Sequence, residues 1–393
     1  MSTTPTIFKQ WSKLPFCVLL AVLVSEASAL LLLLGKLSPW VVHKRSGPLL
    51  LEKRDTGINQ NPNGSLFIWV PEDEYAGQTF YDGFFFFNNL PDPTNGRVNY
   101  VNESYARAQR LVYVQDDGKV IMKADDQTTL AQGAYRDRQA LKLIIYFILI
   151  PDGGPGCFSQ RHHGDVNGEI DVIEGVHDNQ HNQVAFHTAP GCLLDSTANF
   201  TGTISDGGGY QHLDCNSLIN SNAGCGATEW SRASYGPLFD EQGGGIFAMK
   251  WDENGIAVWS FFRAAVPPDV AAGTPNPSTW GPPSANLSSS QCDIGKYFMS
   301  HAIVFDITFC GEYPSDWAGN SYATSGCPGT CDDRLMDPAN FVNATWSINS
   351  LKVFKKQPLY AQVANSASSS MPTTSALQRF LTILSLGIYV LSA

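Results

Sequence analysis

The stretch "GIFAMKWDENGIAVWSFF", Gly245 to Phe262, places two apolar and aromatic runs on either side of Asp252-Glu253-Asn254-Gly255. Asn-Gly is a strong hairpin pair because both positions tolerate positive φ, so the stretch reads as two antiparallel strands joined by a tight turn. Working outward, "TFYDGFFFFNN", "NQVAFHTA", "YFMSHAIVFDITFCG" and "TWSINSLKVFKK" add strand-like runs bounded by Gly, Pro, Asn or Asp. No segment of the body carries a long helical period. The expected fold is all-β, a sandwich of two packed antiparallel sheets, one of which can curve to offer a concave face to solvent. Strand alternation turns about half of any aromatic set inward. Trp251, Trp259, Phe261 and Phe262 are therefore each expected in the core before any is read as part of an exposed binding face.

Composition agrees. In 393 residues, hydrophobic content is 43%, charged content only 16%, and Gly (35) and Pro (23) are frequent, which favours short strands and turns over long surface helices. A net charge of −11 without a basic run argues against nucleic acid as a partner. Of nine cysteines, Cys17 lies in an N-terminal apolar segment. The other eight (Cys157, Cys192, Cys215, Cys225, Cys292, Cys310, Cys327 and Cys331) allow up to four disulfides, with connectivity unreadable from sequence. Cys327 and Cys331 in "CPGTC" lack the second half of a zinc site. Sequons at Asn63, Asn102, Asn199, Asn286 and Asn343 also suit a secreted glycoprotein.

The two ends read as addresses. Lys9 and Lys13 precede an apolar run from Phe16 to Leu34, so residues 1–35 are a signal peptide or an uncleaved N-terminal anchor. Residues 36–54 are read as a propeptide ending at the dibasic pair of "LEKRD", the alternative being an ordinary surface Lys-Arg pair. The C-terminal 357–393 carries small residues, a polar spacer and an apolar tail, the layout of a glycosylphosphatidylinositol attachment signal. Attachment is expected among Asn365, Ser366, Ser368, Ser369 and Ser370. The domain carrying function is 55–356, and the expected location is extracellular or at the cell surface, with the membrane reached only through an anchor.

Function is concentrated in "GEIDVIEG", Gly168 to Gly175, where Glu169, Asp171 and Glu174 interrupt an otherwise apolar strand. Glu169 and Asp171 share a face, because side chains alternate with period two. Glu174 would point to the other face unless one β-bulge between Asp171 and Glu174 reset the alternation. Three acids on one face repel, which raises at least one pKa, and chains seldom keep such a cluster for stability alone. The chemistry it suits is retaining glycoside hydrolysis, with one carboxylate as nucleophile and a second, kept protonated, about 5–5.5 Å away as acid. A middle acid can tune the pair. The competing readings are an edge strand with solvated acids and a calcium site, for which the loop lacks a dense oxygen-ligand pattern.

"GEIDVIEG" resembles the ExDxxE signature of glycoside hydrolase family 16 in the bulged form of its fungal laminarinase-type members, the endo-1,3(4)-β-glucanases. "FFFFNNLPDPTNGRVNYV", "VAFHTAPGC", "FAMKWDENGIAVWSFFRAAVPPD", "NPSTWGPP", "CDIGKYFMSHAIVFDITFCGEYPSDW" and "FVNATWSINSLKVF" continue the likeness in order, from Gln78 to Phe354. The resemblance implies a β-jelly roll with a concave substrate cleft. It implies Glu169 as nucleophile, Asp171 as the assisting acid and Glu174 as general acid/base. It places His187 near the site and Trp259 and Arg263 facing or bordering the cleft. Substrates would be β-1,3 and mixed β-1,3/1,4 glucans, acted on by a monomer with no diffusible cofactor; calcium, where the family has it, is structural.

The likeness fails between Arg136 and Gly168. A tryptophan-rich segment resembling "WPAFW" is missing there, and no tryptophan lies between Trp69 and Trp230. In its place stand the apolar run "LIIYFILI" and "RHH", Arg161 to His163. Wrong exon joins in the coding sequence would leave the real protein an ordinary enzyme, and this explanation is favoured because the rest of the match is intact. A genuine deletion would damage the cleft, leaving a non-catalytic glucan-binding wall protein. A third expectation keeps the chemistry but transfers the glycosyl group to another glucan.

Overall fold

The computed structural model describes Cys17–Leu19 and residues 57–359, except 89–91, 93–95, 139, 145–166, 176–178, 208, 233, 311–321 and 323. The "LIIYFILI" run from residue 145 onward, "RHH", Cys157, the dibasic pair and the attachment region therefore lie outside the described residues. So does nearly all of the N-terminal segment, of which only the backbone of Cys17–Leu19 is described, paired antiparallel with Ala302–Thr308. The chain divides into two compact units, Met1–Gln357 and Pro358–Ala393. The described part of the second is Pro358 and Leu359, the end of the strand Ser350–Leu359.

Among its described residues the first unit is built mainly of short strands, paired antiparallel apart from Val98–Tyr100 with Arg136–Arg138, which run parallel. Among the described residues the α-helices reach only six residues, in Glu103–Ala108 and Cys331–Met336, as the absence of helical periodicity predicts. The opening hairpin forms as expected: Gly245–Asp252 pairs with Gly255–Phe262, and Ala285–Ser288 adds on the far side. Its turn differs by one residue from the sequence expectation. Asp252 pairs with Gly255, so the loop is Glu253-Asn254, and Gly255 starts the returning strand. Two contacts explain the shift. The Asp252 carboxylate accepts the Asn254 N–H at 3.0 Å, closing the turn without positive φ at Asn254. Gly255 sits at φ +149°, and a Cβ there would come within 2.6 Å of the Leu287 carbonyl oxygen, so only glycine fits.

The core is continuous and aromatic-rich. Phe80, Phe84, Phe305 and Trp346 interlock, with Phe80 and Phe84 stacked at 4.9 Å. The strand Gly255–Phe262 is buried on both faces up to Trp259: Ile256 and Val258 are wholly enclosed on one side, Ala257 and Trp259 nearly so on the other. Of the four aromatics expected to be core, Trp259 is buried, Trp251 and Phe261 are half-buried, and Phe262 is exposed. Three disulfides, Cys192–Cys292, Cys215–Cys225 and Cys310–Cys331, tie loops to this core. Cys327 is a free thiol. Asn63, Asn102, Asn199 and Asn343 are exposed, and Asn286 is half-buried in its strand.

Candidate active site

The strand Glu169–Glu174 pairs antiparallel with Gln183–His187, which in turn pairs with Cys225–Thr228. The register sets Glu169 opposite His187, Ile170 opposite Phe186 and Asp171 opposite Ala185, then slips, so that Glu174 faces Gln183. This slip is the β-bulge that the spacing of the three acids requires. Val172 and Ile173 occupy it, and both are buried in the core, which leaves Glu174 to return to the acid face. Burying two successive apolar side chains favours the bulge over a regular pleat, in which one of the two would face solvent.

Asn182 completes the bulge. Its Oδ1 accepts the Glu174 N–H at 2.9 Å, and its Nδ2 donates to the Val172 carbonyl at 2.9 Å. The carboxamide thus stands in for a peptide group, satisfying two main-chain groups that the slipped register leaves without a ladder partner. Nδ2 also donates to Glu229 Oε1 at 3.0 Å, and the Ser260 hydroxyl donates to the other Glu229 oxygen. Asn182 and Glu229 are both buried, and burial pushes the Glu229 carboxyl above its usual range.

The acids converge on His187, which is buried. Its Nε2 lies 3.2 Å from Asp171 Oδ2, and its Nδ1 lies 3.2 Å from Asn222 Oδ1. Both ring nitrogens therefore face side-chain oxygens, an arrangement that the doubly protonated ring satisfies by donating to each. Burial disfavours the imidazolium, but the hydrogen bond to Asp171 and the charges of Asp171, Glu169 and Glu174 outweigh it, raising His187 to about 10. Glu174 is raised to about 7, chiefly by burial and then by the Asp171 charge, against the lowering effect of His187 and of the Gln183 amide that donates to it at 3.3 Å. Glu169 is exposed and Asp171 buried. At neutral pH the cluster thus holds a protonatable Glu174 beside a buried Asp171–His187 ion pair.

Room for the His187 ring depends on Gly224. It sits at φ +60°, and a Cβ there would meet His187 Nδ1 at 2.7 Å and the Phe186 carbonyl at 2.6 Å. The preceding turn is unusual as well, with Asn220, Ser221 and Asn222 all at positive φ, and it presents Asn222 to the imidazole.

Trp259 and Arg263 sit on the neighbouring hairpin strand and its exit. Alternation turns Trp259 and Phe261 to the face opposite Ser260, where Trp280 meets both edge-on at 5.2 and 5.6 Å. The Trp259 indole donates to the Gly281 carbonyl at 3.1 Å. Arg263 Nε donates to the Gly243 carbonyl at 3.1 Å, bracing the loop that precedes the hairpin. The structure thus brings Glu169, Asp171, Glu174 and His187 together, while Trp259 and Arg263 make their described contacts elsewhere. Among the described residues no group of three or more His, Cys, Asp or Glu is placed to hold a metal ion.

The family model described as "XgeA-like, catalytic GH16 domain" matches residues 84–354. The chain belongs to glycoside hydrolase family 16. A probable glycosidase of Schizosaccharomyces pombe is 36% identical over 303 residues, covering 72% of this chain and 68% of that one. An endo-1,3(4)-β-glucanase of Arthroderma benhamiae is 33% identical over 306 residues, covering 73% and 65%. The chain spans only about half the length of other curated relatives, such as a probable endo-1,3(4)-β-glucanase of Aspergillus fumigatus, matched at 32% identity over 78% of this chain and 48% of its own. Among solved structures, laminarinase 16A of Phanerochaete chrysosporium, with β-glucans in both donor and acceptor sites, aligns at TM-score 0.64 and 34% identity, covering 73% of this chain and all of that one. An elongating family 16 β-1,3-glucosyltransferase aligns at 0.63, 34% identical, with the same coverage. The all-β sandwich expected from sequence is thus the family 16 jelly roll.

Sequence reasoning missed Asn182, Glu229, Ser260, Asn222 and Gly224. Only Asn182 left a usable signal. A bulge strands main-chain groups, and a polar residue at the start of the partner strand is what must satisfy them.

Proposed function

We propose that this family 16 member is a secreted or surface-anchored retaining endo-β-glucanase acting on β-1,3 and mixed β-1,3/1,4 glucans. The observation that carries the reading is the bulged strand. It sets a carboxyl with its proton held up to about 7, Glu174, on the same face as exposed Glu169, with the Asp171–His187 ion pair between them. In this reading Glu169 attacks the anomeric carbon as the glycosidic C–O bond breaks, and Glu174 gives its proton to the departing oxygen. Glu174, now a carboxylate, then takes a proton from water as the water oxygen attacks the same carbon, releasing Glu169 with net retention. Asp171, paired with His187, assists as the middle acid, its charge helping to keep the proton on Glu174. Trp259 is buried and backs the half-buried Trp280 and Phe261, which offer aromatic surface on that face of the hairpin for sugar rings, and Arg263 braces the adjoining loop.

The relatives' printed names, endo-1,3(4)-β-glucanase and laminarinase, support the substrate class. Three disulfides support passage through an oxidising compartment. The test is release of reducing ends from laminarin and lichenan, abolished by Glu169→Gln and by Glu174→Gln. Full hydrolysis by Glu169→Gln would refute the assignment. Glucan retention on a column without any cleavage by the wild-type chain would favour a binding protein. The likeness to an elongating glucosyltransferase supports a second reading, glycosyl transfer to another glucan. Chromatography for products longer than the substrate separates the two.

A further inference from the structure

We infer that Asn182 is the positioning residue of the acid/base Glu174, acting through the main chain of the bulge and not through the reacting atoms. The inference rests on the reading of Glu174 given above. Asn182 makes no described side-chain contact with Glu169 or Asp171; its carboxamide instead grips the bulge at both ends, accepting from Glu174 N–H and donating to the Val172 carbonyl. Four further contacts surround it, of which the first fixes which end of the amide is oxygen. The second Nδ2 hydrogen goes to Glu229 Oε1, Glu229 is held by the Ser260 hydroxyl, and the Asn182 main chain is pinned by the Ser234 hydroxyl accepting its N–H at 2.9 Å and by the Glu229 N–H donating to its carbonyl at 2.9 Å. A carboxamide is the side chain that can do this, because it carries an acceptor and a two-hydrogen donor on one planar group.

The consequence is selective. Glu169 and Asp171 precede the slip and are held by regular pairing with His187 and Ala185. Glu174 follows it, and loss of the clamp lets the bulge relax toward a regular pleat, which turns Glu174 toward the opposite face. Removing Asn182 should therefore impair proton transfer while leaving the nucleophile in place. A merely structural residue would impair both.

The test compares Asn182→Ala with Glu174→Ala on two substrates. Laminarin has a poor leaving group that needs a proton. A dinitrophenyl β-laminaribioside has one that leaves without it, so only the second step then depends on Glu174. Added azide attacks the anomeric carbon of the glycosyl-enzyme and displaces the Glu169 carboxylate with no proton transfer. Asn182→Ala is expected to lose about 10²-fold in kcat on laminarin, the cost of a misplacement of about 1 Å. It should keep a rapid burst of dinitrophenolate and be accelerated by azide with formation of the β-glycosyl azide, as Glu174→Ala is. Equal loss on both substrates with no azide effect, or no loss on laminarin, overturns the inference when Glu174→Ala behaves as expected. If Glu174→Ala itself lacks the burst and the azide response, the reading of Glu174 fails instead. Should Asn182→Ala not fold, as judged by circular dichroism, Asn182→Asp is read in its place. It keeps the shape and the acceptor but loses both donors, and the same substrate-dependent loss is expected and the same outcomes overturn.

Discussion

Replacing Asp171 by Asn removes one charge from beneath the acid face without changing its shape, and His187 is where the effect is largest. The two side chains are 3.2 Å apart and buried. At an effective dielectric constant of about 20, unit charges at that distance attract by about 5 kcal/mol. The rise of His187 from an ordinary 6.5 to about 10 corresponds to a preference for the imidazolium of about the same size. With Asp171 neutral, burial has less to oppose it, and His187 should fall by several pH units, to about 6.5 or lower. A folded-state value above the unfolded one contributes stability that is full below 6.5 and is lost as pH rises through about 10. Wild-type stability attributable to this pair should therefore decline between those limits, and Asp171→Asn should lack that decline. The assay is histidine nitrogen NMR across pH, with His187→Asn identifying the resonance, alongside denaturant unfolding at pH 6 to 10. A wild-type His187 titrating near 6.5, or one unmoved by Asp171→Asn, would refute the reasoning.

Three further predictions address separate parts of the account. Because Glu174 is held up to about 7 by burial and by Asp171, the proton-donating form is lost as pH rises through that value; kcat/KM of the wild-type chain on laminarin should fall on the alkaline side with a limb near 7, and a pH profile flat through 7 would refute this. Gly224→Ala should push His187 from its place, since the new Cβ would stand 2.7 Å from Nδ1; loss of the high His187 titration by NMR, with about 1–3 kcal/mol of destabilisation from the strained backbone, checks it. Breaking Cys192–Cys292, which spans 100 residues, by Cys192→Ala with Cys292→Ala should cost about 4–5 kcal/mol in urea unfolding, more than breaking Cys215–Cys225, which spans 10.

What was legible in the sequence follows from how local each signal is. The hairpin at Gly245–Phe262 was readable because its pattern and turn residues lie within eighteen positions, but the exact turn depended on Asp252 capping Asn254 and on the Leu287 carbonyl crowding Gly255, and the second of these comes from another strand. The bulge was readable because three acids at that spacing cannot otherwise share a face. Of its clamp only Asn182, a polar residue at the start of the partner strand, left a signal; Glu229 and Ser260 come from other strands or their ends and meet it only in the fold. His187 could be placed by family resemblance alone; its charge is held by Asp171, Glu169 and Glu174, and its other ring nitrogen meets Asn222 on a left-handed turn that no local pattern announced. Trp259 illustrates a limit of alternation. Its strand is buried on both faces, so pointing away from Ile256 and Val258 did not mean facing solvent.

The central claim is that Glu169 forms a covalent bond to the sugar, and trapping that bond tests it most directly. A dinitrophenyl 2-deoxy-2-fluoro-β-laminaribioside destabilises the oxocarbenium-like transition states while keeping a good leaving group, so the glycosyl-enzyme accumulates. Mass spectrometry of the digested protein should find one glycosyl unit on the peptide containing Glu169, and none in Glu169→Gln. An adduct on a different residue, or laminarin hydrolysis that first yields the inverted α-anomer, would contradict the account.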